Sequence, residues 1–264
     1  MIRIHRPEAV PRNLEKKGKE RTVKDCADYD ADPEAYHSGE KRFSIVKRIY
    51  GTPAIKRKLL ETQHKKCCYC ETKVLASGHG AVEHFRPKGS VRQDSNSIVE
   101  KPGYYWLGYT WSNLLVSCSQ CNTSHKKVLF PLHNPGRRAR NHHDTIEDEE
   151  PMLVDPGAED PRDHIRFRFD APVALTPRGK ETKCVLGLER SDLTEARLKV
   201  AFQIRFANGL RKLYEAMNDL EQSELNEDQK IDIDRAQLLL GRSVEPTSEY
   251  SSMAIDLLDF LRSR

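Results

Sequence analysis

No apolar run in the 264 residues approaches the roughly 18 that a membrane-crossing helix needs. With 37% hydrophobic and 32% charged residues, the chain is expected to be soluble and able to bury a core. The opening stretch, MIRIHRPEAVPRNLEKK, lacks a continuous apolar segment and a small-residue cleavage site, so no secretory leader is expected and the cytosol is the expected compartment. An even set of cysteines is missing too. The chain has seven, four of them in two CxxC pairs, and in a reducing compartment that pattern points to metal binding or catalysis rather than disulfides. There is no GxxxxGK[ST] phosphate loop, no internal repeat and no low-complexity tract.

Acidic residues are scarce in one region only. Residues 41–140 hold 19 Lys and Arg against 5 Asp and Glu, while residues 141–264 carry a net −9 and the first 40 a net −1, giving +4 for the whole chain. A basic field confined to one segment suits a polyanionic partner, because neutralising phosphates releases counterions; it equally suits a solvated surface.

Turn signals divide the chain into four expected parts. Residues 1–40, punctuated by Pro7, Pro11, Gly18 and Pro33, read as an irregular N-terminal arm. Residues 41–135 form a compact module that opens with an amphipathic helix, PAIKRKLLETQH, carrying Pro53 at its first position and Ile55, Leu59 and Leu60 on one face. Residues 136–176 read as a loop-rich connector, entered through HNPGRRARNHHD and holding a short strand in HIRFRFD, where Ile165, Phe167 and Phe169 alternate with polar residues. Residues 177–264 read as a helical subdomain. It has a long helix N-capped by Ser191 and running to about Leu220, then helices near 226–241 and 248–262. The resulting expectation is an α+β protein, mainly helical around a small central module.

Within that module, Cys67-Cys68-Tyr69-Cys70 and Cys118-Ser119-Gln120-Cys121 lie 47 residues apart. A CxxC turn can place two thiolates on one ion, and two such turns supply the four soft donors of a tetrahedral zinc. Cys67, Cys70, Cys118 and Cys121 are therefore the expected ligands. Four thiolates leave no open position, so this zinc would be structural and any catalysis must come from elsewhere. Cys68, Cys26 and Cys184 have no place in the set. Glu83-His84 lies between the two halves, and Asn113, Asn122 and His125 surround the second. A histidine titrating near neutrality can take a proton from water, and a hard divalent cation can stabilise a phosphate under attack.

The run CxxC, then EHFRP, then WSNLLVSCSQCN resembles the HNH endonucleases of ββα-metal fold, in particular those whose finger is stapled by a four-cysteine zinc. The resemblance implies that His84 is the general base and Glu83 a ligand of a catalytic Mg²⁺ or Mn²⁺. Asn113 would then fix the loop and orient the base, and Asn122 would complete the metal site. That family more often has aspartate or histidine where Glu83 stands. His125, three residues beyond Asn122, is an alternative third ligand or a phosphate contact, and Arg86, Lys88 and Lys126 are further candidates to meet nucleic-acid phosphates. A longer series that includes KCCYCE, VEHFRPK, CSQCN, EEPMLVDPGAEDPRDHIRF and LGLERSDLTEAR is similar to the HNH subunit of Septu-type antiphage systems, also found with some retrons. That likeness implies a nucleic-acid substrate and an ABC-type ATPase partner that supplies nucleotide sensing. The partner surface is expected on the helix from Ser191 and on the tail to Arg264. A zinc-stapled binding module without catalysis, and a free-standing HNH restriction-type nuclease, are the alternatives.

Overall fold

A computed structural model describes residues 1–74 and 80–263; residues 75–79 and Arg264 lie outside the described part. Residues 14–38, expected to be irregular, are largely helical. A wide helical turn at Leu14–Gly18 runs into α1 (Lys19–Ala31), and α2 (Pro33–Ser38) follows. The prolines fall at helix starts rather than inside helices. Pro33 is the first residue of α2, where no amide partner is lost, and Asp32 caps it by accepting from the Ala35 N–H. Gly18 marks a close approach and not a turn: a Cβ there would lie 3.0 Å from Cβ of Tyr109. The helices were hidden because α1 buries little beyond Asp25 and Tyr29. Its apolar anchor is aromatic: Tyr29 stacks on Tyr105 at 5.3 Å, and Phe43 stacks between Tyr36 and Tyr105 at 4.1 Å from each.

The short α3 (Lys47–Tyr50) precedes α4 (Pro53–Thr62), which matches the sequence expectation. Thr52 caps it, Pro53 opens it, and Ile55 and Leu59 are buried. Beyond α4, the Gln63 side chain acts as a substitute strand. Its amide donates to the Val116 carbonyl (2.7 Å) and accepts from the Val116 N–H (2.8 Å), tying α4 to a strand edge.

Strands β1 (Gly80–His84) and β2 (Leu114–Cys118) pair antiparallel, with Gly80 opposite Cys118, Glu83 opposite Leu115 and His84 opposite Leu114. Leu114, Leu115 and Val116, which point to alternate faces, are all fully buried, so β2 is covered on both sides. A helical turn, Gln120–Lys126, follows β2, so the centre of the molecule is a hairpin with a long insertion and a short helix.

The connector holds a second hairpin, β3 (Ile165–Arg168) with β4 (Ala171–Ala174). The helical part opens with α5 (Pro177–Val185), capped by Thr176, ahead of the long helix. Helix α6 (Ser191–Ala216) has Arg190, not Ser191, at its N-cap position, and ends before Leu220. Helices α7 (Asp219–Ser223) and α8 (Glu227–Ser243) each start with a capping box, Asn218 with Glu221 and Asn226 with Gln229. Helix α9 (Ser251–Arg262) closes the chain against β3, where Asp256 accepts from the Phe167 N–H and pairs with Arg162 and Arg166.

Helix α9 also anchors the first cysteine turn. Glu71 is buried, 2.8 Å from the Lys66 ammonium, and accepts from the Ser251 and Ser252 hydroxyls; Lys66 in turn donates to the Ser248 carbonyl. Glu71→Gln leaves the Lys66 ammonium buried beside a neutral amide. Breaking one partner of a buried pair costs about 3–5 kcal/mol. We expect a loss of that size in the unfolding free energy from urea titration at pH 7, against less than about 0.5 kcal/mol for a surface change such as Glu227→Gln.

Candidate functional site

The two CxxC turns converge. The four sulfurs of Cys67, Cys70, Cys118 and Cys121 all lie within 4.8 Å of one another, and those of Cys70 and Cys118 are 3.7 Å apart. Zinc–sulfur bonds of about 2.3 Å at tetrahedral angles give sulfur–sulfur edges of about 3.8 Å, so the donor set could hold a zinc ion with little movement. The Cys121 N–H points at the Cys118 sulfur (3.5 Å). The Arg190 guanidinium lies 3.7 Å from the Cys121 sulfur. Burial works against the charge on Arg190, but Cys121 and Cys70 more than offset it. This cation beside the thiolates comes from the start of α6 and carried no sequence signal, because its partner is 69 positions away. Cys68 is buried outside the cluster, with its N–H bonded to the Val116 carbonyl.

Glu83 and His84 end β1, both buried at 4% exposure. The His84 ring stands edge-on to Tyr50 at 4.7 Å, and its Nε2 is 2.9 Å from the Gly108 carbonyl. A carbonyl can only accept, so Nε2 carries the proton and Nδ1 keeps the lone pair. Burial, with Lys88 and then Lys126 adding to it, lowers the His84 pKa to about 3 against the Gly108 bond that raises it, so the ring is neutral at physiological pH. The Lys88 ammonium lies 3.3 Å from Nδ1 and 5.2 Å from the Tyr50 ring centre. Burial is also the main reason that the Lys88 pKa is lowered, with Lys126 lowering it further and Glu83 opposing.

Asn113 closes the long insertion. Its Oδ1 accepts from the Arg86 N–H (2.8 Å), and its Nδ2 donates to the carbonyls of Arg86 and Leu107 (3.1 Å each). The stretch just after His84 and the stretch that ends in Gly108, the partner of His84, are thus held by one amide.

The other candidates fall differently. Lys126, expected at phosphates, is fully buried, with its ammonium 2.7 Å from Glu83 Oε1 and 3.1 Å from the His84 carbonyl oxygen, to which it donates. Its place in the helical turn after β2 points it inward. Glu83 Oε1 has that ion pair but no well-angled hydrogen bond. The carboxylate contact of Glu83 is thus Lys126, four residues beyond Asn122; Asn122 itself is half-buried, its carbonyl accepting from the Lys127 N–H at 2.7 Å. The ring of His125 packs on Gly187, whose positive φ of +56° and missing Cβ make room for it, so His125 faces the α5–α6 turn. Arg86 is tied to Glu149 at 2.9 Å and lies over Phe130, bracing the connector rather than standing free for phosphate. Lys88 is the cation that stays beside the imidazole.

Fold and site together define an α+β protein built round a hairpin with a four-cysteine site of zinc-binding type, beside a buried acid–histidine pair. Sequence comparison narrows this class. The chain is 32% identical over 229 residues, 81% of this chain and 77% of the relative, to "Septu protein PtuB" of Bacillus mycoides (strain KBAB4). It is 29% identical over 145 residues, 54% of this chain and 44% of the relative, to "Septu protein PtuB" of Bacillus thuringiensis. The chain belongs to the Septu PtuB family. No family model matches it, and no solved structure does. No described helix is long and apolar enough to cross a membrane.

Proposed function

We propose that this chain is a metal-dependent HNH endonuclease subunit that hydrolyses nucleic-acid phosphodiesters within an antiphage complex containing an ABC-type ATPase. The observation that carries this reading is the geometry of His84: its Nε2 donates to the Gly108 carbonyl, so Nδ1 is the lone-pair nitrogen, and it faces the Lys88 ammonium at 3.3 Å. Nδ1 takes the proton of a water as that water attacks phosphorus, and the in-line displacement leaves a 5′-phosphate and a 3′-hydroxyl. Asn113 keeps the base aimed by fixing the backbone on both sides of it. Lys88, beside Nδ1, is the cation placed to meet the phosphate. Glu83 would hold Mg²⁺ or Mn²⁺ through its carboxylate, exchanging the Lys126 ammonium for the ion, with Asn122 as the further ligand. When bound, such an ion stabilises charge on the phosphate and the leaving oxygen. The cysteine site is the structural staple of this centre. Helix α6 exposes Phe202, Phe206 and Leu213, an apolar stripe that suits the ATPase contact.

One observation favours a second reading, a zinc-stapled module that binds nucleic acid without cutting it: Glu83 is already paired with Lys126. Cleavage assays separate the two. Zinc-loaded protein, alone and with its ATPase, is incubated with phage DNA and with cellular RNA, with and without ATP, in Mg²⁺, in Mn²⁺ or with neither ion added. The nuclease reading expects cutting only where Mg²⁺ or Mn²⁺ is supplied. Binding without turnover under every combination supports the module instead.

A further inference from the structure

The stretch RNHHD, which the nuclease reading leaves unused, meets α1. His143 Nε2 lies 2.8 Å from Asp30 Oδ1, and His142 Nε2 lies 3.4 Å from Asp30 Oδ2. The three donor atoms, two imidazole nitrogens and a carboxylate oxygen, fall within 4.8 Å of one another, the only such group besides the cysteines among the described residues. Metal–nitrogen and metal–oxygen bonds of about 2.0–2.2 Å give donor–donor edges of roughly 3.0–3.5 Å, close to the distances seen. Two ordinary histidine–carboxylate hydrogen bonds, one to each Asp30 oxygen, would use the same atoms, so what points to a metal is the convergence of all three donors on one spot.

That second ring is held from behind. The Tyr105 hydroxyl lies 2.6 Å from His142 Nδ1, and Tyr105 is itself fully buried between Tyr29 and Phe43. With the Nδ1 proton given to Tyr105 Oη, His142 presents the Nε2 lone pair to the cluster. This is the outer hydrogen bond that metal-ligating histidines characteristically make. An entry path is open, since Asp30 and His143 are exposed and His143 also lines a cleft of about 780 Å³ with Arg137, Arg140 and Asp144.

We propose that Asp30, His142 and His143 form a divalent transition-metal site of the two-histidine, one-carboxylate kind, with its remaining positions open to solvent. Zinc is the ion of choice for two imidazoles and a carboxylate, and Co²⁺ or Ni²⁺ would be accepted in its place. The ion would join α1 to the connector, whose ligands lie more than a hundred residues apart, directly above Tyr105. Tyr105 begins the short turn that leads to Gly108, the carbonyl that fixes His84. The site is separate from the cysteine cluster and from Glu83, and the proposal does not depend on the nuclease reading.

The test is a calorimetric titration of the full chain with Zn²⁺ alone, after the cysteine site has been loaded and free metal removed. Wild type is expected to take up a further equivalent that Asp30→Asn and His143→Ala both lose and Glu83→Gln keeps. The His143 side chain is 65% exposed, so its removal does not threaten the fold, and unchanged circular dichroism of each variant checks this. Tyr105→Phe, which keeps the ring and removes only the hydroxyl, should weaken this binding by roughly 10-fold to 100-fold. No uptake by wild type, or uptake that survives in Asp30→Asn and His143→Ala, overturns the proposal.

Discussion

Stripping the metal from Cys67, Cys70, Cys118 and Cys121 is expected to unfold the central module. The four sulfurs join the turn after α4 to the end of β2 and the helical turn beyond it, and three of the four cysteines are buried at 0–1% exposure. Without an ion, those thiols are left in the core with few partners besides one another. Structural zinc sites of this type contribute about 10–16 kcal/mol of apparent binding free energy, as much as the whole stability of an ordinary domain. Chelation at neutral pH, or Cys121→Ser, should therefore abolish the cooperative thermal transition and the near-ultraviolet circular dichroism of the buried Tyr69, Tyr104 and Trp111. Cys68→Ser, outside the cluster, should retain zinc. Zinc release with an unchanged melting curve would show that the cysteines are not a staple.

The second large effect is expected at Lys126. Its ammonium and the Glu83 carboxylate neutralise each other at 0% and 5% side-chain exposure. Lys126→Met removes the cation and leaves a buried carboxylate with Oε1 unsatisfied, at a cost of about 3–5 kcal/mol. The double variant Lys126→Met with Glu83→Gln removes both charges and should recover most of that loss, because a buried pair replaced by neutral groups of similar size is close to energetically neutral. If Glu83 accepts a divalent ion, Mg²⁺ should raise the denaturation midpoint of Lys126→Met more than that of wild type. A Lys126→Met variant within about 1 kcal/mol of wild type, with no response to Mg²⁺, would mean that Glu83 is no cation site.

What could be read in the sequence follows how local each signal was. The cysteine quartet was legible because CxxC spacing encodes its own geometry, and α4 because Thr52, Pro53, Ile55 and Leu59 all point to one helix. The α+β class was legible in the alternation of HIRFRFD and the long helical stretch from Ser191. Helix α1 was missed because it buries only Asp25 and Tyr29, and Tyr29 is held by stacking on Tyr105, 76 positions later in the chain. Lys126 looked like a phosphate contact because lysines are rarely buried, and the sequence contains nothing to show that Glu83 waits opposite it. His125 was legible as a chemical group but not as a direction: only the bare backbone of Gly187 shows which way its ring turns. The links Arg190–Cys121 and Asp30–His143 join residues from separate elements and carry no local mark at all.

The central claim is that His84 Nδ1 is the base of a phosphodiester hydrolysis. Its most direct test is the single-turnover cleavage rate of zinc-loaded wild type and His84→Ala in saturating Mg²⁺, on whichever nucleic acid the complex cuts, with equal zinc content and equal melting temperature established first. Loss of a positioned general base costs about 10²-fold to 10⁴-fold in rate, and His84→Ala is expected to fall in that range while still binding nucleic acid. A His84→Ala protein that cuts as fast as wild type would contradict the account.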